Sequence, residues 1–109
     1  MNKTDTEKGV VLDMSNLAAV QEGAVVSRTV LDRETGTVTV FAFDQGQGLS
    51  EHTAPYDALV YILEGTLSVR ISGKPLRLDA GQAVIMLAGK PHSLTAEKRC
   101  RMLLVMIRS

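Results

Sequence analysis

The chain has one cysteine, no tryptophan, three prolines and four aromatic residues among 109 positions, and its twelve acidic and twelve basic side chains cancel. A single cysteine, Cys100, cannot close an internal disulfide, so no covalent staple is expected and a reduced, cytoplasmic setting follows. The lack of net charge removes the broad positive field on which sequence-independent phosphate binding depends, and nucleic acid is not an expected partner. The one tight basic cluster, Lys98, Arg99 and Arg101, is flanked by Glu97 and reads as a solvated strand edge. With so few aromatics, base-stacking platforms are missing and the core has to be aliphatic. No apolar run approaches the roughly 20 residues of a membrane-spanning helix. The longest, MLLVMI at residues 102–107, is far shorter, and the N-terminal MNKTDTEKGVVLDM lacks the apolar stretch of a secretion signal, so no membrane association is expected.

What is present is short and β-branched. Residues 1–8 are polar and charged and read as a disordered tail, and residues 9–109 read as a single domain. From Gly9 onward come VVL, AVVSRTVL and TVTVFAF, separated by the turn-prone EGA and DRETG, and each run reads as a strand. The intervening DMSNLAAVQEG offers Ser15 or Asn16 as a cap for one helical turn, or else forms a connecting loop. In TLSVRIS, Leu67, Val69 and Ile71 alternate with Thr66, Ser68, Arg70 and Ser72, the period of a strand with one wet face. Ser72-Gly73-Lys74-Pro75 then reads as a tight hairpin, with Gly73 at positive φ and Pro75 opening the next strand. Closely spaced strands with turns between them predict an all-β, antiparallel sandwich or barrel. Leu59 to Leu63 and Met102 to Ile107 are apolar on both faces, which predicts cover by the N-terminal segment or a homodimer interface, with Tyr61 as a contact there.

Glycines frame two histidine-bearing stretches: GQGLSEHTAPYDALVYILEGTLSV at 46–69 and GQAVIMLAGKPHSL at 81–94. The frame resembles the two motifs of the cupin superfamily. Gly46, His52 and Gly65 fall on the first motif, with Ala54 and Ala58 standing where that family carries a second histidine and a glutamate. Gly81, Gly89 and His92 fall on the second, with Leu87 and Ala96 replacing its proline and asparagine. The resemblance spans residues 24–107, and EHTAPYDALVYILEG and KPHSL are most similar to small stand-alone single-domain cupins. It implies a double-stranded β-helix, or jelly-roll β-barrel, with His52 and His92 pointing into the barrel mouth from different strands.

His52 and His92 are the only histidines, and two imidazoles begin a metal site that ordinarily takes a third protein ligand. Glu51 or Asp57 is the available third ligand, although in extended chain each would point away from the site unless a bulge near Pro55 turned it inward. Fe, Mn, Ni or Zn suit imidazole and carboxylate better than Cu(I) does. Without metal, the pair remains a polar anchor for a small molecule, each ring able to act as acid or base. A single histidine at a strand end is more often a water-facing side chain. Tyr56, beside the site, reads as a ligand contact or as packing. Met86, Met102 and Met106, with Cys100, read as soft core filler on closing strands rather than as a thioether metal site. Ser50 and Ser93 lack the strand-to-helix elbow of a hydrolase nucleophile. Three functions therefore stand: a small cupin binding a small molecule at its mouth, a metal-dependent oxygenase or isomerase with a reduced ligand set, and a filled barrel acting only through its dimer.

Overall fold

β-branched residues fit a pleated surface, and alternation decides which side of it faces the core. The structure, a computed structural model, describes residues 8–108. Among them are nine strands: β1 (Val25–Arg33), β2 (Gly36–Phe43), β3 (Gly48–His52), β4 (Asp57–Glu64), β5 (Thr66–Ile71), β6 (Lys74–Asp79), β7 (Ala83–Met86), β8 (His92–Ala96) and β9 (Cys100–Ile107). They form a five-stranded sheet in the order β1-β2-β9-β4-β7 and a four-stranded sheet in the order β3-β8-β5-β6. Every pairing is antiparallel. Only the hairpins β1–β2 and β5–β6 stay within a sheet, and each other connection carries the chain across to the opposite one. This is the antiparallel, double-sheet architecture that the glycine-framed motifs imply.

The core lies between the sheets. Ala58, Val60 and Ile62 of β4 face Leu67 and Val69 of β5, with Phe43, Leu94 and Met102 completing an aliphatic interior. The alternation is regular in β4, where Leu59 and Tyr61 point outward and are exposed while their neighbours are buried. The β5–β6 hairpin turns through Ser72 at φ 49° and Gly73 at φ 81°, joining the facing pair Ile71 and Lys74. Two consecutive positive φ values match the right-handed strand twist. Pro75 sits on β6, an edge strand, where its missing N–H costs no ladder bond.

Outside the five-stranded sheet, a second apolar cluster covers one end of its outer face. Ala18 is buried there with Val40 and Ala42, and Met14, Leu17 and Val20 pack beside them. The segment begins with a 3-10 turn at Met14–Asn16. Neither Ser15 nor Asn16 caps it; both donate side-chain hydrogen bonds to the carboxylate of Asp13, at 3.1 and 2.7 Å. Val10–Leu12, expected as a strand, pairs with no sheet, and Val10 and Val11 are exposed. Local propensity supplies no partner edge, and the run stays outside the ladders. The tail expected over residues 1–8 lies, except for Lys8, outside the described residues.

Candidate functional site

One close approach of backbones sets the site. On Gly48 of β3 a Cβ would run into the carbonyl oxygen of Leu94 on β8, so only glycine lets these strands lie against each other there. Four residues on, after a register irregularity between Leu49 and His52, the ladder ends with His52 directly opposite His92. The two histidines therefore occupy the last rung of one strand pair, at its open end.

Each ring is fixed by its own chain. Nδ1 of His52 lies 2.7 Å from the Ser50 carbonyl oxygen and Nδ1 of His92 lies 3.1 Å from that of Lys90, both two residues upstream. A carbonyl oxygen only accepts, so each Nδ1 carries the proton and donates it. Each Nε2 is then left with its lone pair, and the two Nε2 atoms meet 3.1 Å apart. The rings approach edge to face, with centroids 4.4 Å apart and planes at 70°. With both rings in this tautomer the two lone pairs face each other, an arrangement that a cation seated between them would relieve. The separation suits one ion bound by both nitrogens at about 2.0–2.1 Å in adjacent coordination positions.

Behind the rings lies a small cavity of about 40 Å³, walled by Leu49, Ala54, Ala58, Met86, Leu94, Leu104 and Met106. At roughly 15 Å³ of such space per water, it admits two or three waters or an ion with its water, and not a metabolite. His92 is buried at 6% exposure while His52 is exposed, so one ring faces inward and the other forms the mouth.

The carboxylates expected as a third ligand are placed elsewhere. Oδ1 of Asp57 accepts the Ala88 N–H at 2.8 Å, and Gly89 N–H donates to the Ala54 carbonyl at 2.9 Å. These two bonds tie the start of β4 and the chain before it to the loop preceding β8 and His92. Glu51 is exposed, and neither carboxylate lines the cavity. Among the described residues no three His, Cys, Asp or Glu side chains come together. Tyr56 is also drawn away: the Arg108 guanidinium sits 5.4 Å from its ring centroid, and Tyr56 does not line the cavity. Met86 and Met102 lie in the buried core and Met106 packs against it, as expected; the structure adds that Met86 and Met106 also wall the cavity. The signal lay in cross-strand register, which no single strand displays.

Two members of the basic cluster are engaged within the fold, while Lys98 is exposed. Arg99 pairs with Asp44 at 3.1 Å, and Arg101 binds Glu64 and the Ala18 carbonyl. The Gly23 N–H, Arg99 and the Gln45 N–H hold the Asp44 carboxyl below its ordinary range. Burial, with Glu64 nearby, pushes the Cys100 thiol up to about 11.

The family model described as a cupin domain matches residues 39–106. A conserved protein of unknown function from Streptococcus pyogenes is 35% identical, with 96% of this chain and 92% of that one superimposed at a TM-score of 0.90. A cupin 2 conserved barrel domain protein from Leptotrichia buccalis is 34% identical over 81% of this chain and 43% of its own, with a TM-score of 0.79. The tetracenomycin polyketide synthase protein TcmJ of Streptomyces glaucescens is 34% identical over 50 residues, 45% of this chain. That match spans about a third of the relative, 34% of its length.

Proposed function

We propose, from the premise that this chain belongs to the cupin family, that it binds a small polar ligand at the barrel mouth through a cation seated between His52 and His92. One observation carries the reading: both Nδ1 protons are committed to backbone carbonyls, so two bare Nε2 atoms face each other at 3.1 Å. Exposed His52 leaves the outward side of such a cation open to a ligand, while the cavity behind is too small to enclose one. The likeness to TcmJ raises a polyketide-type ligand, and a cavity of about 40 Å³ means that any multi-ring compound would rest on the mouth.

The second reading, a metal-dependent oxygenase or isomerase with a reduced ligand set, is favoured by the same open positions. A metal bound there would supply Lewis acidity toward a ligand oxygen. This chain's residues would do the rest: the Ser50 and Lys90 carbonyls orient the rings, Asp57 holds the loop, and Leu49, Leu94 and Leu104 keep bulk water out.

The test is thermal melting of tag-free protein with added metal salts and small carboxylic acids, against His52→Ala/His92→Ala. Stabilisation by metal, increased by acid, and seen only in wild type is the expected result. Equal stabilisation of both proteins contradicts the reading.

The chain is further proposed to act as a homodimer. Leu31, Val38, Val105, Leu59 and Ile85 are successive cross-strand neighbours and draw one aliphatic row across all five strands of the larger sheet. Leu31, Leu59, Ile85, Tyr61 and Ile107 are exposed on this face, whose other end the Met14–Val20 segment covers. Five strands at about 4.8 Å make a patch roughly 20 Å wide, the scale of an interface core. An uncharged aliphatic row is complementary to a second copy of itself, as a two-fold interface requires.

A further inference from the structure

Ala58 of β4 is the cross-strand partner of Met86 on β7 and, on its other side, of Met106 on β9. Residues directly opposite in antiparallel strands share a face, with Cβ atoms about 4.5–5.5 Å apart. Both methionines thus project on the inward side, flanking the methyl group of Ala58. Met86 belongs to the buried core and Met106 packs against it, and both also line the small cavity that His52 and His92 close from the opposite sheet. Met86 is 2% exposed and His92 is 6% exposed, so water has little access from behind.

The donor atoms around this cavity are two imidazole nitrogens and two thioether sulfurs. All four are neutral, and none of the cavity's walls carries a carboxylate or thiolate. We infer that His52, His92, Met86 and Met106 form a site for monovalent copper, an inference that rests on reading the histidine pair as a cation site. Two physical arguments select this ion over the iron, manganese, nickel or zinc expected from imidazole and carboxylate. The cost of bringing an ion out of water grows with the square of its charge, so a divalent ion here meets about four times the penalty of a monovalent one of similar size, with no anionic ligand to offset it. Softness acts in the same direction, because thioether sulfur prefers Cu(I) whereas hard and borderline dications prefer oxygen and nitrogen. The substitution pattern is then coherent: with alanine at position 58, two flexible sulfur side chains from the flanking strands reach the space.

The test is anaerobic titration of the tag-free full chain with Cu(I) in competition with a colorimetric chelator, and separately with Zn(II). The proteins are wild type, Met86→Leu/Met106→Leu and His52→Ala/His92→Ala. Leucine keeps the volume of methionine and removes the sulfur, so the barrel should fold, and its melting curve verifies that. One Cu(I) per chain is expected in wild type, weakened on the order of tenfold or more in the methionine variant, with Zn(II) affinity there unchanged. Loss of both metals is expected in the histidine variant. Equal Cu(I) affinity in wild type and the methionine variant overturns the copper assignment and leaves the cation site standing. If neither Cu(I) nor Zn(II) binds wild type, both the copper assignment and the cation site are overturned. Should the methionine variant not fold, copper X-ray absorption of the wild-type complex decides: sulfur in the first shell supports the assignment, and nitrogen and oxygen alone overturn it.

Discussion

At the scale of residues, function and stability depend on a few hydrogen bonds whose acceptors are easily named. Removing the carboxylate in Asp57→Ala leaves the Ala88 N–H without its partner. Because both residues are exposed and water can replace the carboxylate, it should cost only about 0.5–1.5 kcal/mol in denaturant unfolding and weaken ligand or metal binding, though Asp57 touches neither. A loss of stability with binding intact would separate the loop from the site. Asp44 supplies the pH dependence. Its folded-state carboxyl titrates below the 3.8 of the unfolded chain, so its contribution is present above that value and is lost as pH falls through the lower, folded value. Asp44→Asn should flatten the acid limb of a stability profile below pH about 4, and an unchanged limb would contradict that. Cys100 acts in the opposite direction. Its folded thiol titrates near 11 against 9.0 unfolded, so stability falls as pH rises between those values, and alkylation of native protein at pH about 8 should be slow until it is denatured. Both histidines were legible from glycine-framed spacing alone. The engagement of Tyr56 with Arg108, and of Asp57 with Ala88, was not, because each depends on a partner that only the folded chain brings near.

At the scale of elements, the strands were readable wherever alternation was strict, as in β5, and the β5–β6 hairpin was readable from its glycine and proline. Val10–Leu12 has the composition of a strand and forms none, since a strand is defined by a neighbouring edge as much as by its residues. The pairing of β3 with β8 was equally hidden: nothing in GLSEH announces that it lies against HSLTA. Gly48 is the residue that permits it. Gly48→Ala drives a methyl group into the Leu94 carbonyl, and should both lower the melting temperature and move His52 away from its partner rung. Gly65 has the same role between β4 and β5, at φ 83° and against the Arg99 carbonyl, but lies away from the histidines. Gly65→Ala should therefore destabilise without changing the affinity of whatever metal remains bound to the folded fraction. If both variants lose affinity equally, the specific role of the β3–β8 approach is refuted.

At the scale of the whole molecule, the two sheets have different exteriors, and the larger one carries the aliphatic row that the N-terminal segment leaves bare. A charge placed in its middle tests the proposed homodimer. Leu59→Asp with Ile85→Asp should convert a dimer to a monomer in sedimentation or light scattering while leaving the histidine pair, on the other sheet, able to bind. An unchanged mass would refute this interface. The central claim concerns the inner side of these same strands, where the cavity leads to the two Nε2 atoms facing each other at 3.1 Å. It is tested most directly by elemental analysis of protein purified without a histidine tag, beside His52→Ala/His92→Ala. Near-stoichiometric metal in the wild type and none in the variant is the predicted result. Wild-type protein that stays metal-free even after exposure to iron, manganese, nickel, zinc and Cu(I) would contradict a metal-holding pair, and a proton shared between the two rings would then account for their approach.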